Sequence, residues 1–260
     1  MKTSEWNKRV ERAARLAERF AYAREILAFY GQVLKLQQKI FEGVSSKPIP
    51  TEGETPFLDL LGSVHASRHL PELLALAEQR GPAKLAGEAK AVRGESAEQQ
   101  AAMFEGILDD SSEHAFFARA ILQPYAEWIA LSLPAQPFQG DSFVCRMCGS
   151  RPQAAVLRPE GDGAKRFLLC SLCGTEWFFR RVLCPNCAEE NKEHLPVFIA
   201  QEFDYVRVDA CDTCRTYIKS IDLSKNGNAV PVVDELATVS LNLWAQEHNY
   251  KKAQPNLFGV

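Results

Sequence analysis

No stretch of this 260-residue chain approaches the roughly 20 consecutive apolar residues of a membrane span. Met1 to Arg24 mixes Glu, Arg and Lys throughout and has no uninterrupted apolar run of the kind an export signal needs. A cytoplasmic protein with no membrane partner is therefore expected. An excess of one charge is also missing: up to Gly140 there are 16 basic and 18 acidic residues, and after it 14 basic and 15 acidic. Neither half is a polycation, which argues against nucleic acid as the main partner, because such binding rests on clustered Lys and Arg that displace counterions. No Ser/His/Asp set, phosphate-binding loop or dinucleotide fingerprint is present, and the acidic residues form no obvious acid and base pair. A non-enzymatic protein is expected. Cysteine is absent from the first 144 residues and from the last 46.

All eight cysteines lie between those limits, as four C-x-x-C pairs: Cys145/Cys148, Cys170/Cys173, Cys184/Cys187 and Cys211/Cys214. A two-residue spacer lets one turn of backbone aim two sulfurs at one tetrahedral ion, and two such turns complete the shell. In a reducing compartment, paired cysteines at this spacing point to metal rather than disulfides. The intervals are 21 residues, then ten, then 23. The long intervals can form hairpins that bring one knuckle opposite another, and the short one reads as a link. This favours site one from Cys145, Cys148, Cys170 and Cys173 and site two from Cys184, Cys187, Cys211 and Cys214, with interleaved pairing as the alternative. All-thiolate coordination suits zinc and a single rubredoxin-type iron alike. Each module is too small to rest on an apolar core alone, so an ion, worth on the order of 10–16 kcal/mol in small zinc peptides, is expected to hold it together. Gly149 and Gly174 follow their knuckles where positive φ is often required, whereas Ala188 and Arg215 stand there in site two. A more open or distorted second site is expected.

The rest of the chain changes texture around Pro134 to Gly140. Before it, residues spaced by three and four (Trp6, Val10, Ala13, Leu16, Phe20, Ala23, Leu27, Tyr30, Leu34) predict one long amphipathic helix from Ser4 to Glu42, stopped by Gly43 and followed by a loop over Val44 to Pro56. That helix could serve as a homodimer seam, with packing inside the chain favoured. Helices are also expected from Phe57 to about His69, Pro71 to Gln79, Ala83 to Val92, Ser96 to Leu108, and Ser112 to Leu133, the last kinked or split at Pro124. Beyond the junction, β-type runs over Ala154 to Leu157, Arg166 to Leu169 and Glu176 to Leu183 predict strands between knuckles, and Pro231 to His248 a helix that packs back on the body. The fold class is thus α+β: a helical domain over residues 1–138, two tandem rubredoxin-like or zinc-ribbon modules over 139–180 and 181–228, and a C-terminal helix and tail over 229–260. His65 and His69 have ligand spacing, but Ala66 takes the place of a catalytic Glu, so they read as surface or part-buried side chains. Trp177, Phe178 and Phe179 read as an alternating strand core, with Arg180 and Arg181 as candidate partner-binding residues.

The segments Cys145-Arg146-Met147-Cys148-Gly149-Ser150-Arg151-Pro152 and Leu169-Cys170-Ser171-Leu172-Cys173-Gly174-Thr175-Glu176-Trp177 resemble the formate dehydrogenase accessory protein family of the FdhE type. Arg181-Val182-Leu183-Cys184-Pro185-Asn186-Cys187, Cys211-Asp212-Thr213-Cys214-Arg215-Thr216-Tyr217-Ile218-Lys219 and Asp234-Glu235-Leu236-Ala237 follow in the family's order. The resemblance spans about residues 143–240, and earlier it is one of layout. It implies a cytoplasmic maturation factor that binds the formate dehydrogenase catalytic subunit, without turnover of its own, with the eight cysteines carried over as functional residues. Arg215 departs from the glycine common in relatives. Two readings from other classes stand beside it: a zinc-ribbon binder of nucleic acid or transcription machinery, and a rubredoxin-like electron carrier.

Overall fold

A computed structural model describes residues 3–46, 57–62, 65–105, 114–134 and 141–260. They divide into two units, Met1–Ala135 and Gln136–Val260. The predicted loop over residues 47–56, the junction over 135–140 and the ends of two predicted helices at 106–108 and 112–113 lie outside the described residues.

In the first unit the single long helix expected at the N-terminus is two helices, α1 (Thr3–Arg19) and α2 (Arg24–Ser45). Phe20 adopts extended backbone, φ −111° and ψ 96°, and a short 3₁₀ turn over Ala21–Ala23 leads into α2. The period of three and four continues in the sequence through the break, and each helix buries its own apolar face. Trp6, Ala13 and Leu16 of α1 and Leu27, Val33, Leu34, Ile40 and Phe41 of α2 are buried within the chain. That burial supports internal packing of the face rather than a dimer seam. Gly43 does not stop α2, which runs on and buries Val44.

The helices α3 (Phe57–Gly62), α4 (Leu70–Arg80), α5 (Ala83–Arg93), α6 (Ala97–Ala102) and α7 (Ala115–Ser132) follow. The helix expected to reach His69 ends at Gly62, and a 3₁₀ turn over Ala66–His69 replaces its second half. Helix α6 begins with a capping box between Ser96 and Gln99. Pro124 does not split α7. A proline has no N–H to give the carbonyl four residues back. Here that orphan is Ala120, and the buried side chain of Gln37 on α2 donates to its oxygen at 2.9 Å while also donating to Gln123 Oε1. One helix thus repairs the hydrogen-bond gap in another.

The second unit is built on one sheet. Its strands are β1 (Pro152–Glu160), β2 (Gly163–Cys170), β3 (Glu176–Phe178), β4 (Val197–Ile199), β5 (Val206–Cys211), β6 (Thr216–Asp222) and β7 (Lys251–Lys252). The order is β3-β2-β1-β6-β5-β4, with β7 also paired to β6. All pairs are antiparallel except β1 with β6 and β6 with β7. Gly161, at φ +54°, opens the two-residue turn of the β1–β2 hairpin, where positive φ matches the twist of the strands. The run expected as a strand to Leu183 leaves the sheet after Phe178. Buried Arg166 on β2 instead holds the carbonyls of Arg180 and Leu183, which draws that segment toward the next cysteine pair.

The C-terminal helix is also two, α8 (Pro231–Ala237) and α9 (Val239–Glu247). The break sits at Thr238, whose hydroxyl donates to the Asp234 carbonyl and whose own carbonyl accepts from Lys219 Nζ on β6. The Lys219 ammonium lies 2.9 Å from the Glu235 carboxylate, both fully buried. Lys252 Nζ and Asn256 Nδ2 complete that carboxylate, which joins α8, β6 and the tail. Burial alone would raise the pKa of Glu235; Lys219 and Lys252 outweigh it and hold the group at about 2.

The Gln37 and Pro124 pairing makes a measurable prediction. Gln37→Met should cost about 1–3 kcal/mol by leaving a buried carbonyl unpaired. The cost should shrink in a Pro124→Ala background, where a backbone N–H returns. Urea unfolding of the four variants of this cycle, followed by helical circular dichroism, measures the coupling.

Candidate metal centres

Four turns of the same construction carry the cysteines. The pairs Cys145/Cys148 and Cys184/Cys187 precede β1 and β4, while Cys170 and Cys211 end β2 and β5 and their partners lie in the turns to β3 and β6. In each, the first cysteine meets the residue five positions on. Cys145 N donates to Ser150 O at 2.9 Å, Cys170 N to Thr175 O at 3.0 Å and Cys184 N to Glu189 O at 2.9 Å, while Cys211 pairs with Thr216 in the β5–β6 ladder. The residue before each of those partners takes the left-handed conformation: Gly149 at φ +79°, Gly174 at +67°, Ala188 at +64° and Arg215 at +56°.

Turn chemistry therefore differs between the sites and turn geometry does not. Arg215 occupies a conformation that costs most residues about 1–2 kcal/mol. Its guanidinium is anchored there, donating to Asp212 Oδ1 at 2.9 Å and the His248 carbonyl at 2.7 Å and lying 4.1 Å from the Tyr250 ring centroid. Ala188 has no such anchor, but the turn it sits in is tied down by the next residue. Glu189 accepts from the Thr213 hydroxyl in the opposite knuckle, and that bond, then the Asn191 N–H and His194, holds its carboxyl at about 2.

The sulfurs group sequentially: Cys145, Cys148, Cys170 and Cys173 in one cluster, and Cys184, Cys187, Cys211 and Cys214 in another, each with all four Sγ atoms within 4.8 Å. In the first, Cys145–Cys173 and Cys148–Cys170 are 3.6 and 3.4 Å apart; in the second, Cys184–Cys214 and Cys187–Cys211 are 3.7 and 3.6 Å apart. A disulfide would need about 2.05 Å. Four sulfurs each about 2.3 Å from one ion form a tetrahedron with edges of about 3.8 Å. Both clusters could hold a metal ion, and the separations in the second match those in the first, so the distortion expected of site two is absent. It is nonetheless the more open: the four cysteines of the first cluster are buried, while Cys187 is exposed and Cys214 half-buried.

Left to one another, the thiols divide. A hydrogen bond from Cys145 pulls Cys148 far down, while burial pushes Cys170 up. In the second cluster burial raises Cys187 and would raise Cys214, but hydrogen bonds led by the Thr216 hydroxyl bring Cys214 to about 6. A dication among them would favour the thiolate form of all four. Two further contacts recur and were not singled out from the sequence. Thr175 Oγ1 lies 3.1 Å from Cys173 Sγ and Thr216 Oγ1 3.0 Å from Cys214 Sγ, and Leu172 N and Asn186 N each donate to the first sulfur of their knuckle at 3.4 Å. The shared C-x-x-C-x-T pattern was the available signal.

The other candidates separate clearly. Trp177 and Phe179 are buried and Phe178 between them is exposed, as a strand requires. Arg180 is exposed and bridges Asp141 at 2.5 Å and Glu190 at 2.8 Å, and Arg181 donates to the Ala164 carbonyl. His69 Nε2 sits 3.1 Å from the Tyr125 hydroxyl, its pKa lowered by burial first and Arg68 next, and His65 is exposed outside any helix. Among the described residues no helix is long and apolar enough to cross a membrane.

Residues 144–181 match the family model "FdhE, central domain" and residues 182–258 match "FdhE, C-terminal domain". A protein FdhE homolog of Aquifex aeolicus is 39% identical over 156 residues, which cover 59% of this chain and 54% of that protein. A homolog from Edwardsiella ictaluri is 33% identical over 178 residues, 67% of this chain and 58% of the relative. The matched part thus spans little more than half the length of these two relatives. The crystal structure of the FdhE protein from Pseudomonas aeruginosa superposes with a TM-score of 0.79 at 23% identity, over 99% of this chain and 96% of that one. It shares the fold.

Relief of the left-handed residue in site two is testable. Ala188→Gly should raise the stability of the second unit by about 1 kcal/mol, since the side chain is exposed and only the backbone penalty is removed. A rise in thermal midpoint at unchanged metal content is the expected result.

Proposed function

The chain belongs to the FdhE family, and from this we propose that it is a non-enzymatic accessory factor for formate dehydrogenase, binding the catalytic subunit in the cytoplasm during assembly. The observation that carries the reading is the pair of four-cysteine clusters inside the family-matched region. In this reading the eight cysteines are the ligands of two ions, iron or zinc. The ion joins two turns that the backbone leaves separate, and iron would add one-electron chemistry that zinc would not.

The chain's own residues set up each site. The left-handed turns aim the sulfurs, the N–H groups of Leu172 and Asn186 stabilise thiolate charge, and the Thr175 and Thr216 hydroxyls do the same from the other side. Exposure of Cys187 makes site two the one that solvent or a partner can reach. Arg180 and Arg181 belong to the proposed partner-facing surface. Their exposure supports this, and binding there would require Arg180 to exchange its ties to Asp141 and Glu190 for a partner's acidic groups.

Tagged protein should capture a formate dehydrogenase catalytic subunit from cells that make both, and deletion should abolish formate oxidation. Failure of capture together with intact oxidation in the deletion strain rejects the reading. For the metal, Cys148→Ser or Cys173→Ser should lower elemental content from two ions per chain to one and loosen the sheet, while the helical unit keeps its circular dichroism. Retention of both ions contradicts the ligand assignment, and equal loss of helix contradicts the independence of the two units.

A further inference from the structure

Going beyond the accessory role, we propose that the cavity bounded by Arg166, Arg207 and Asp209 is a binding site for a small planar oxyanion of the carboxylate or nitrate type. The cavity lies within the sheet unit, with Arg181 and the cysteines Cys184 and Cys211 on its wall, and has a volume of about 40 Å³. A single water needs roughly 10–15 Å³, so the space holds about three water-sized groups, and a small planar anion of three or four heavy atoms fits it better than a five-atom phosphate or sulfate.

Three cations face this space and one carboxylate. Arg166 is only 2% exposed, and two of its guanidinium nitrogens, Nε and one Nη, have no hydrogen-bond acceptor. Its nearest carboxylate oxygen, Asp209 Oδ2, is 3.6 Å away and already accepts from the Ser220 hydroxyl at 2.6 Å. Arg207 Nη2 donates to Asp209 Oδ2 at 3.3 Å, while its Nε, 2.8 Å from Asp209 Oδ1, is not aligned as a hydrogen bond, so that Nε and Oδ1 are left without one. No sulfur takes the open donors either. Arginine cannot relieve the burial by losing its proton, and although Asp209 and the nearby sulfurs offset its charge, its open Nε and Nη donors need an acceptor that the side chains present do not supply. A guanidinium presents a planar fork of donors, and its complement is an anion with two oxygens about as far apart as its two nitrogens, which a carboxylate or nitrate offers in the smallest volume. Water could fill the space and accept hydrogen bonds, but separate waters do not present the paired oxygens that match the fork.

The test uses the full-length, zinc-loaded chain. Isotope-labelled formate, titrated at ionic strength held constant with chloride, should show one saturable site per chain by NMR, displaced by nitrate and not by sulfate. Arg207→Gln, at a part-exposed position, should weaken binding tenfold or more with metal content unchanged, and Arg166→Gln should abolish it. If Arg166→Gln does not fold, the Arg207 variant still decides. Absence of saturable binding, as expected if the arginines serve only to offset the neighbouring thiolates, overturns the proposal. So does equal binding by the Arg207 variant, or equal displacement by sulfate.

Discussion

The second unit depends on one geometric constraint: four sulfurs must converge to within a bond length or so of a common point while their backbones run in different directions. A strand cannot do this alone, because its side chains alternate between faces. A C-x-x-C turn can, provided the chain reverses immediately afterwards. In all four turns the reversal is made the same way, by a left-handed residue four positions after the first cysteine and a backbone contact at the fifth. The strands are laid out from these turns, since the knuckles end β2 and β5 and start β3 and β6. Where glycine is present the conformation has no steric penalty; where it is not, Arg215 offsets it with contacts to Asp212, His248 and Tyr250.

How much of this could be read in advance depended on whether the signal was local. The cysteine spacing is local, and the two sulfur clusters follow the sequential grouping. The helical period is local as well, and the N-terminal part is helical as expected. Breaks were harder. Phe20 fits the apolar period, so nothing around it announces extended backbone. At Pro124 a sound local rule anticipated a split, and the rule was overridden from 87 positions earlier in the chain by Gln37, which supplies the missing donor. Thr238 breaks the last helix because Lys219, on a strand, takes its carbonyl. In each case the deciding partner is distant in sequence, and a one-dimensional pattern cannot contain it.

The same holds for charge. A near-neutral balance correctly gives no polycationic half, yet it hides an internal distribution that is far from even. Glu235 is enclosed by two lysines and Asn256, with both carboxylate oxygens facing a donor, and this network fixes the tail to the sheet. Around Arg166 the balance tips the other way, toward donors without acceptors. Buried ionic groups contribute little net stability when paired and cost much when not. The first arrangement reads as architecture, and the second as a place where something else is meant to sit.

The strand order also has a consequence for how such molecules could multiply. Two three-stranded repeats are set side by side, and they join where the first strand of one lies parallel to the last strand of the other. Nothing in that joint closes on itself. The outer margin of β4 is equivalent to the margin of β1 that β6 occupies, and the outer margin of β3 is its complement, so the pattern is that of a tile that can be laid end to end without limit. What restrains such growth is length: both outer strands have only three residues, Glu176–Phe178 and Val197–Ile199, too few to template a neighbour. Lengthening either one would extend the row of unpaired backbone groups offered at that margin.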